Sequence, residues 1–140
     1  MTETYYFDTC IWRDFYESRT GLRGKPLGKY AAELFMKVIA RKDLLLFSEL
    51  IIRELKIEYN DKEITDMLNF LFQTRILEKI DIEAADCIEA ERITAQRNIP
   101  PNDALHAVIS RRNHAIFVSQ DEHAQHLKDI VTVKKPEEIT

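Results

Sequence analysis

The stretch "LLLFSELIIREL", from Leu44 to Leu55, decides the architecture. Its first four residues are a continuous apolar run of strand length, the pattern of a strand buried on both faces. A helical period follows at once, opened by Ser48, a good N-cap, and running to about residue 59. The same alternation recurs on either side. Thr4 to Phe7 is a short β-prone run that stops at Asp8, with a helix expected through Trp12 and Phe15. "ILEKI" (Ile76–Ile80) alternates like a strand, "AIFV" (Ala115–Val118) reads as a fourth, and "IVTV" (Ile130–Val133) as a fifth. Between them the spacing predicts helices over about Tyr30–Ala40, Lys62–Gln73, Glu83–Arg97 and Asp103–Arg112; in the first, Ala31, Leu34, Phe35 and Val38 form a core-facing stripe. Parallel neighbours need crossovers of this length. The expected fold is therefore α/β: a single three-layer domain with a mostly parallel central sheet of four or five strands and helices on both faces.

All three glycines and Pro26 fall between Gly21 and Gly28, which marks one clear loop, studded with Arg19, Arg23, Lys25 and Lys29. The tail "KKPEEIT" is expected to be loosely held. A chain of 140 residues with 45% apolar content can bury a core without staples. Cys10 and Cys87 lack metal or disulfide spacing and read as free thiols of a reducing cytoplasm. No leader or membrane-spanning run is visible, so a cytoplasmic protein that does not enter a membrane is expected. The net charge of −4 excludes nucleic-acid binding by bulk electrostatics alone. It leaves open an enzyme whose acidity is gathered around divalent cations, where the local field reverses sign.

Four acids are candidates for that pocket. In open α/β sheets the ligand crevice lies outside the carboxyl ends of the strands. Asp8 follows the first strand and Asp121 the fourth, after Ser119 and Gln120. Asp103, in "PPNDALHAVI" (Pro100–Ile109), stands where a helix leading into the fourth strand begins; it reads as a cap of that helix at the rim of a shared pocket. Glu54 is argued from geometry. Turning about 100° per residue from Ser48, the apolar arc of Leu50, Ile51, Ile52 and Leu55 brackets Glu54 at about 240°. Glu49, Arg53 and Lys56 gather on the opposite, solvated side. An acid on the inward arc is costly unless paired or bound to metal. Glu58, four residues on, is a weaker candidate. Two carboxylates roughly 5 Å apart repel by about 3 kcal/mol at an effective dielectric near 20, so such a cluster needs protons or a cation. Oxygen-only ligands suit Mg²⁺ or Mn²⁺ rather than zinc.

Asp8 in "YFDTCIW", Glu54 in "SELIIREL", Asp103 in "PPNDALHAVI" and Asp121 in "VSQDEHAQHL" resemble, in order and surroundings, the four acids of the PIN domain, the fold of VapC-type toxins and other metal-dependent ribonucleases. The likeness spans residues 1–134 as one PIN-like nuclease domain, with 135–140 as the tail. Ser119 matches a Ser or Thr often found two residues before the last acid. Cys10 departs from the Asn or Ser frequent there, and the loop after the first helix is longer and more basic. The resemblance implies hydrolysis of RNA phosphodiester bonds to leave a 5′ phosphate. It implies Mg²⁺ or Mn²⁺ held by Asp8, Asp103 and Asp121, which would bind the phosphate and acidify a water. Glu54 would be a further ligand or would orient the attacking water, and Ser119 would support the ligands by hydrogen bonding. It also implies a small antitoxin partner that inserts a basic side chain into the pocket, or alternatively an RNA-maturation role without one, and a homodimer.

Other readings compete. Asp8 and Asp121 can be plain helix caps, and Glu54 can pair with a basic residue of another element. The aspartyl-nucleophile phosphatases need an Asp where Cys10 stands, and a response-regulator receiver needs paired acids that are missing. A degenerate PIN scaffold or RNA-binding module remains, disfavoured because all four acids are present. His123 and His126 at i, i+3 lack a third ligand, and for these and for His106 and His114 a surface or nucleic-acid contact is preferred to a metal role. Arg13, Arg19, Arg23, Lys25, Arg111 and Arg112 are candidates to guide a phosphate backbone, and Trp12 and Tyr16 to stack on bases. For these residues a solvated face, and for Trp12 a core or dimer position, is the preferred reading.

Overall fold

Five parallel strands form one sheet in the order β3-β2-β1-β4-β5 in a computed structural model that describes residues 2–140. They are β1 (Thr4–Phe7), β2 (Leu44–Phe47), β3 (Leu77–Lys79), β4 (Ile116–Val118) and β5 (Val133–Lys134). Tyr5 pairs in register with Leu45 on one side and Ile116 on the other, so β1 is the central strand. The helices are α1 (Thr9–Glu17), α2 (Leu27–Arg41), α3 (Glu49–Leu55), α4 (Asp61–Phe72), α5 (Ala84–Arg97), α6 (Pro101–Arg112) and α7 (Glu122–Gln125).

Alternation along β1 defines the layers. Tyr5 and Phe7 share one face, where the Phe7 ring meets Phe35 of α2 edge-on at 5.1 Å and Trp12 of α1 packs on the same Phe35 at 5.3 Å. Tyr6 points the other way, to His106 of α6 and to Phe117 of β4. The α/β three-layer expectation is met, with α1 and α2 on one face and α6 on the other. Trp12 is 1% exposed and belongs to the core rather than to a stacking surface. No helix among the described residues is long and apolar enough to cross a membrane.

Local chemistry shifts several boundaries. α3 ends at Leu55, and the chain continues to Tyr59 through turn-type bonds such as Tyr59 N–H to the Leu55 carbonyl at 2.9 Å. α2 starts at Leu27, so Gly28 is inside the helix rather than in the loop. A Cβ there would stand 2.5 Å from the Ser18 Cα, and only glycine lets the end of α1 lie against the start of α2. The fifth strand is two residues long, starting three residues after the "IVTV" run does and ending one residue beyond it; Ile130 and Val131 close a turn on Leu127.

The tail is not loose. Ile139 is 4% exposed, the Lys37 ammonium donates to its carbonyl at 2.8 Å, and Lys25 pairs with Glu137 at 2.6 Å. A hydrophobic residue five positions beyond the last strand returns to cover the core, which a reading by composition misses. Ile139→Ala should therefore lower unfolding free energy by about 2–4 kcal/mol, the range for truncating a buried aliphatic side chain; urea denaturation unchanged by the substitution would mean the tail is as mobile as its composition suggests.

Candidate metal centre

The carboxyl ends of β1 and β4 and the starts of three helices meet in one cleft of about 230 Å³ lined by Asp8, Thr9, Cys10, Arg13, Glu54, Ile57, Glu58, Asp103 and Asp121. All four acids singled out from the sequence are in it. Asp8, 7% exposed, leaves β1 with its amide bonded to the Val118 carbonyl at 2.8 Å, which ties it to the neighbouring strand. Its Oδ1 accepts the Thr9 amide at 2.7 Å, so it does cap α1; capping and facing the cleft are compatible. Asp121 likewise caps α7 through the His123 amide at 2.9 Å. Ser119 joins the two: its hydroxyl donates to Asp8 Oδ2 at 2.7 Å and accepts the Asp121 amide at 3.0 Å.

Asp103 does not cap α6. Pro100 occupies the cap position, Pro101 opens the helix, and no side chain caps it, which leaves the Asp103 carboxyl free for the cleft. Ser48 also stands at a cap position without capping; its hydroxyl instead meets the buried Tyr6 hydroxyl at 2.7 Å.

His106 is the residue that sequence reasoning missed. It is fully buried, neither on the surface nor in reach of nucleic acid. Nδ1 meets the Tyr6 hydroxyl at 2.8 Å and Nε2 meets Glu54 Oε1 at 2.5 Å, with Asp8 Oδ1 3.7 Å away. Glu54 is thus paired with a basic group from another element, and it also accepts from Thr9 Oγ1 at 2.7 Å and Asn102 Nδ2 at 3.3 Å. The signal was spacing: in "NDALH", Asn102 and Asp103 lie four and three residues before His106, on one helical face.

Charge in the cleft follows from these contacts. Burial favours neutral His106, but the hydrogen bond to Glu54 and the negative charges of Asp8, Glu54 and Asp103 outweigh it, and its pKa is raised. Burial alone would raise Glu54; the hydrogen bond and charge of His106, then Thr9 and Asn102, reverse that and lower it. Asp8 stays raised by burial despite His106 and Ser119. Asp103, half-buried and facing Asp121 and Asp8, is pushed up to about 6, by desolvation first and then by those two charges. Burial also holds the Cys10 thiol well above its ordinary value, so it is a neutral wall, not a thiolate.

Ligand-type atoms of Asp8, Glu54 and His106 lie within 4.8 Å of one another, as do those of Asp103, Asp121 and His123. The donor set is dominated by carboxylate oxygens and carries more negative charge than His106 offsets, which fits a divalent cation. A sequence model of the PIN domain matches residues 5–130. The chain belongs to the PIN domain family. This is a family of nucleases. Comparison with curated proteins returned no match. Among solved structures, this PIN domain is similar to VapBC2 from Rickettsia felis bound to a DNA fragment from its promoter, at 15% identity over 94% of this chain and 98% of that one, with a TM-score of 0.64. A toxin-antitoxin complex from Klebsiella pneumoniae aligns at 14% identity, 94% and 97% coverage and TM-score 0.65. FitAcB from Neisseria gonorrhoeae aligns at 15%, 96% and 99%, and 0.62. At such identities the likeness is one of fold.

Two expectations follow for the PIN domain's site. Tyr6→Phe leaves the Ser48 hydroxyl and His106 Nδ1 without their buried partner, and should cost about 1–3 kcal/mol in urea denaturation; no loss would show that the bridge is not structural. Asp14, buried in α1, is pushed up to about 6, as Asp103 is. With carboxyl pKa values raised from 3.8 on folding, the native state holds protons that the unfolded chain releases, so their contribution is present below pH 3.8 and lost as pH rises towards 6. In EDTA, the fall in melting temperature across that window should therefore be shallower in Asp14→Asn and in Asp103→Asn than in the parent; an unchanged slope in both would refute the raised values.

Proposed function

We propose that this PIN domain is a Mg²⁺- or Mn²⁺-dependent endoribonuclease that hydrolyses RNA to leave a 5′ phosphate, and that it is the toxin of a toxin-antitoxin pair. The observation that carries the reading is the convergence of Asp8, Glu54, Asp103 and Asp121 from separate elements on one cleft. A degenerate scaffold has no reason to keep four carboxylates together against their repulsion. The toxin role is supported by the toxin-antitoxin complexes among the similar folds.

In this reading Asp8, Asp103 and Asp121 hold the cation. When bound, it supplies electrophilic stabilisation of the charge that builds on the phosphate and the departing 3′ oxygen. Ser119 fixes Asp8 relative to Asp121, so that two ligands from neighbouring strand ends move as one. Glu54 is kept ionised by His106, Thr9 and Asn102. With three protein donors already on it, its part is to accept a hydrogen bond from the attacking water and align it, while His106 holds the carboxylate in place. The antitoxin would offer the cleft a basic side chain in place of the cation, and the protein would act in the cytoplasm as a homodimer.

Purified protein should cleave single-stranded RNA with Mg²⁺ or Mn²⁺ and stop with EDTA. Asp8→Asn and Asp103→Asn should each lower the rate by about three orders of magnitude, the loss that follows removal of a principal electrostatic group, with melting temperature kept or raised. Cleavage at the parent rate in either variant, or in EDTA, refutes the assignment.

A further inference from the structure

Five carboxylates face the cleft, those of Asp8, Glu54, Glu58, Asp103 and Asp121, and among the described residues Arg13 is the one arginine or lysine that lines it. Arg13 is on α1, five residues after Asp8, and Glu58 lies in the turn after α3, four residues after Glu54. The same two segments that supply catalytic acids thus supply an ion pair at the cleft mouth, Arg13 Nη2 to Glu58 Oε2 at 2.7 Å, with side chains 27% and 46% exposed. The guanidinium is only partly used. Its Nε is buried without a hydrogen-bond acceptor, and Glu17 is 3.9 Å away. A planar fork of five donors is suited to the two non-bridging oxygens of a phosphodiester, whereas here a single nitrogen meets a single carboxylate oxygen.

We infer that Arg13 is the phosphate-binding residue of the cleft, and that Glu58 masks it in the free protein by occupying its guanidinium until an RNA phosphate displaces the carboxylate. The inference rests on the ribonuclease reading above. An anionic strand approaching five carboxylates needs positive charge beyond that of the metal centre, and Arg13 is positioned to give it. The mask is weak enough to yield: an exposed ion pair of this kind is worth about two- to fivefold in an equilibrium constant, while a bidentate guanidinium-phosphate contact is stronger. Glu58, a weaker metal-site candidate by sequence, thereby acquires a different role as internal competitor for the substrate's place.

The test is binding of a labelled single-stranded RNA by fluorescence anisotropy with Ca²⁺ in place of Mg²⁺, the RNA being checked intact on a gel, over a series of salt concentrations. Arg13→Ala should weaken binding about tenfold or more, as for loss of a charged hydrogen bond, and make the slope of log K against log salt shallower by about 0.7, the value for one phosphate on a single strand. Arg13→Lys should recover part of the affinity. Glu58→Gln should bind about two- to fivefold tighter, a gain that misfolding cannot produce, and the gain should vanish in Arg13→Ala/Glu58→Gln. Arg92→Ala, which removes an exposed arginine of α5 already paired with Glu89, is the charge control and should leave binding unchanged. If the parent cleaves RNA but Arg13→Ala and Glu58→Gln bind as it does, the inference is overturned and the ribonuclease reading stands. An equal gain from Glu58→Gln on both backgrounds overturns the masking. A parent that neither binds nor cleaves RNA overturns the ribonuclease reading itself.

Discussion

The structure at the carboxyl edge of the sheet depends on one constraint: carboxylates brought within a few Å of one another must be kept from forcing the fold apart. At roughly 5 Å each pair costs about 3 kcal/mol at a protein-like dielectric. His106 meets part of that cost. It lies against Glu54 and near Asp8, whose charges raise its pKa against burial, and its other nitrogen is held by Tyr6, itself held by Ser48. The chain of contacts runs from the start of α3 through the central strand to α6. The polar core and the acidic cleft are thus one connected network, and its members cannot be exchanged singly without leaving a buried group unpaired.

The amounts of charge on the two sides of the cleft differ. Glu54 has three donors from the protein. Among the described residues Asp103 has no hydrogen-bond partner to lower its pKa, and burial together with Asp121 and Asp8 pushes it up to about 6. One side is a finished hydrogen-bonded assembly; the other is short of positive charge. That asymmetry is the basis for the proposal that a cation sits beside Asp103 and Asp121, with Glu54 left to its protein donors.

The sequence carried the sheet and the four acids well, for a physical reason. Strands buried on both faces, such as "LLLF", cannot hide their pattern, and an acid immediately after one, as at Asp8, is conspicuous because its neighbours are apolar. Glu54 was legible through the helical arc that encloses it. His106 was not, because a histidine among Ala104, Leu105, Ala107 and Val108 looks like any other residue of a buried face, and its partners Tyr6 and Glu54 lie 100 and 52 positions away. The helix starts at Asp103 and Ser48 were misjudged for a related reason. A side chain competent to cap can be claimed by a distant partner or left for the cleft, and only the tertiary fold decides which. The tail was misread because its buried apolar residue, Ile139, follows a run of charges, and the partners of Glu137 lie far away in sequence.

The tail also reaches the cleft by a short route. Glu137 accepts from the Gln120 side chain at 2.9 Å and pairs with Lys25, which in turn approaches Gln120 at 3.4 Å; Gln120 is the residue next to Asp121. The segment after β5, the basic loop and the last of the four acids are therefore fastened together at one knot. A substitution between Pro136 and Ile139 is in this protein an intervention at the acidic cleft itself, although none of those residues lines it.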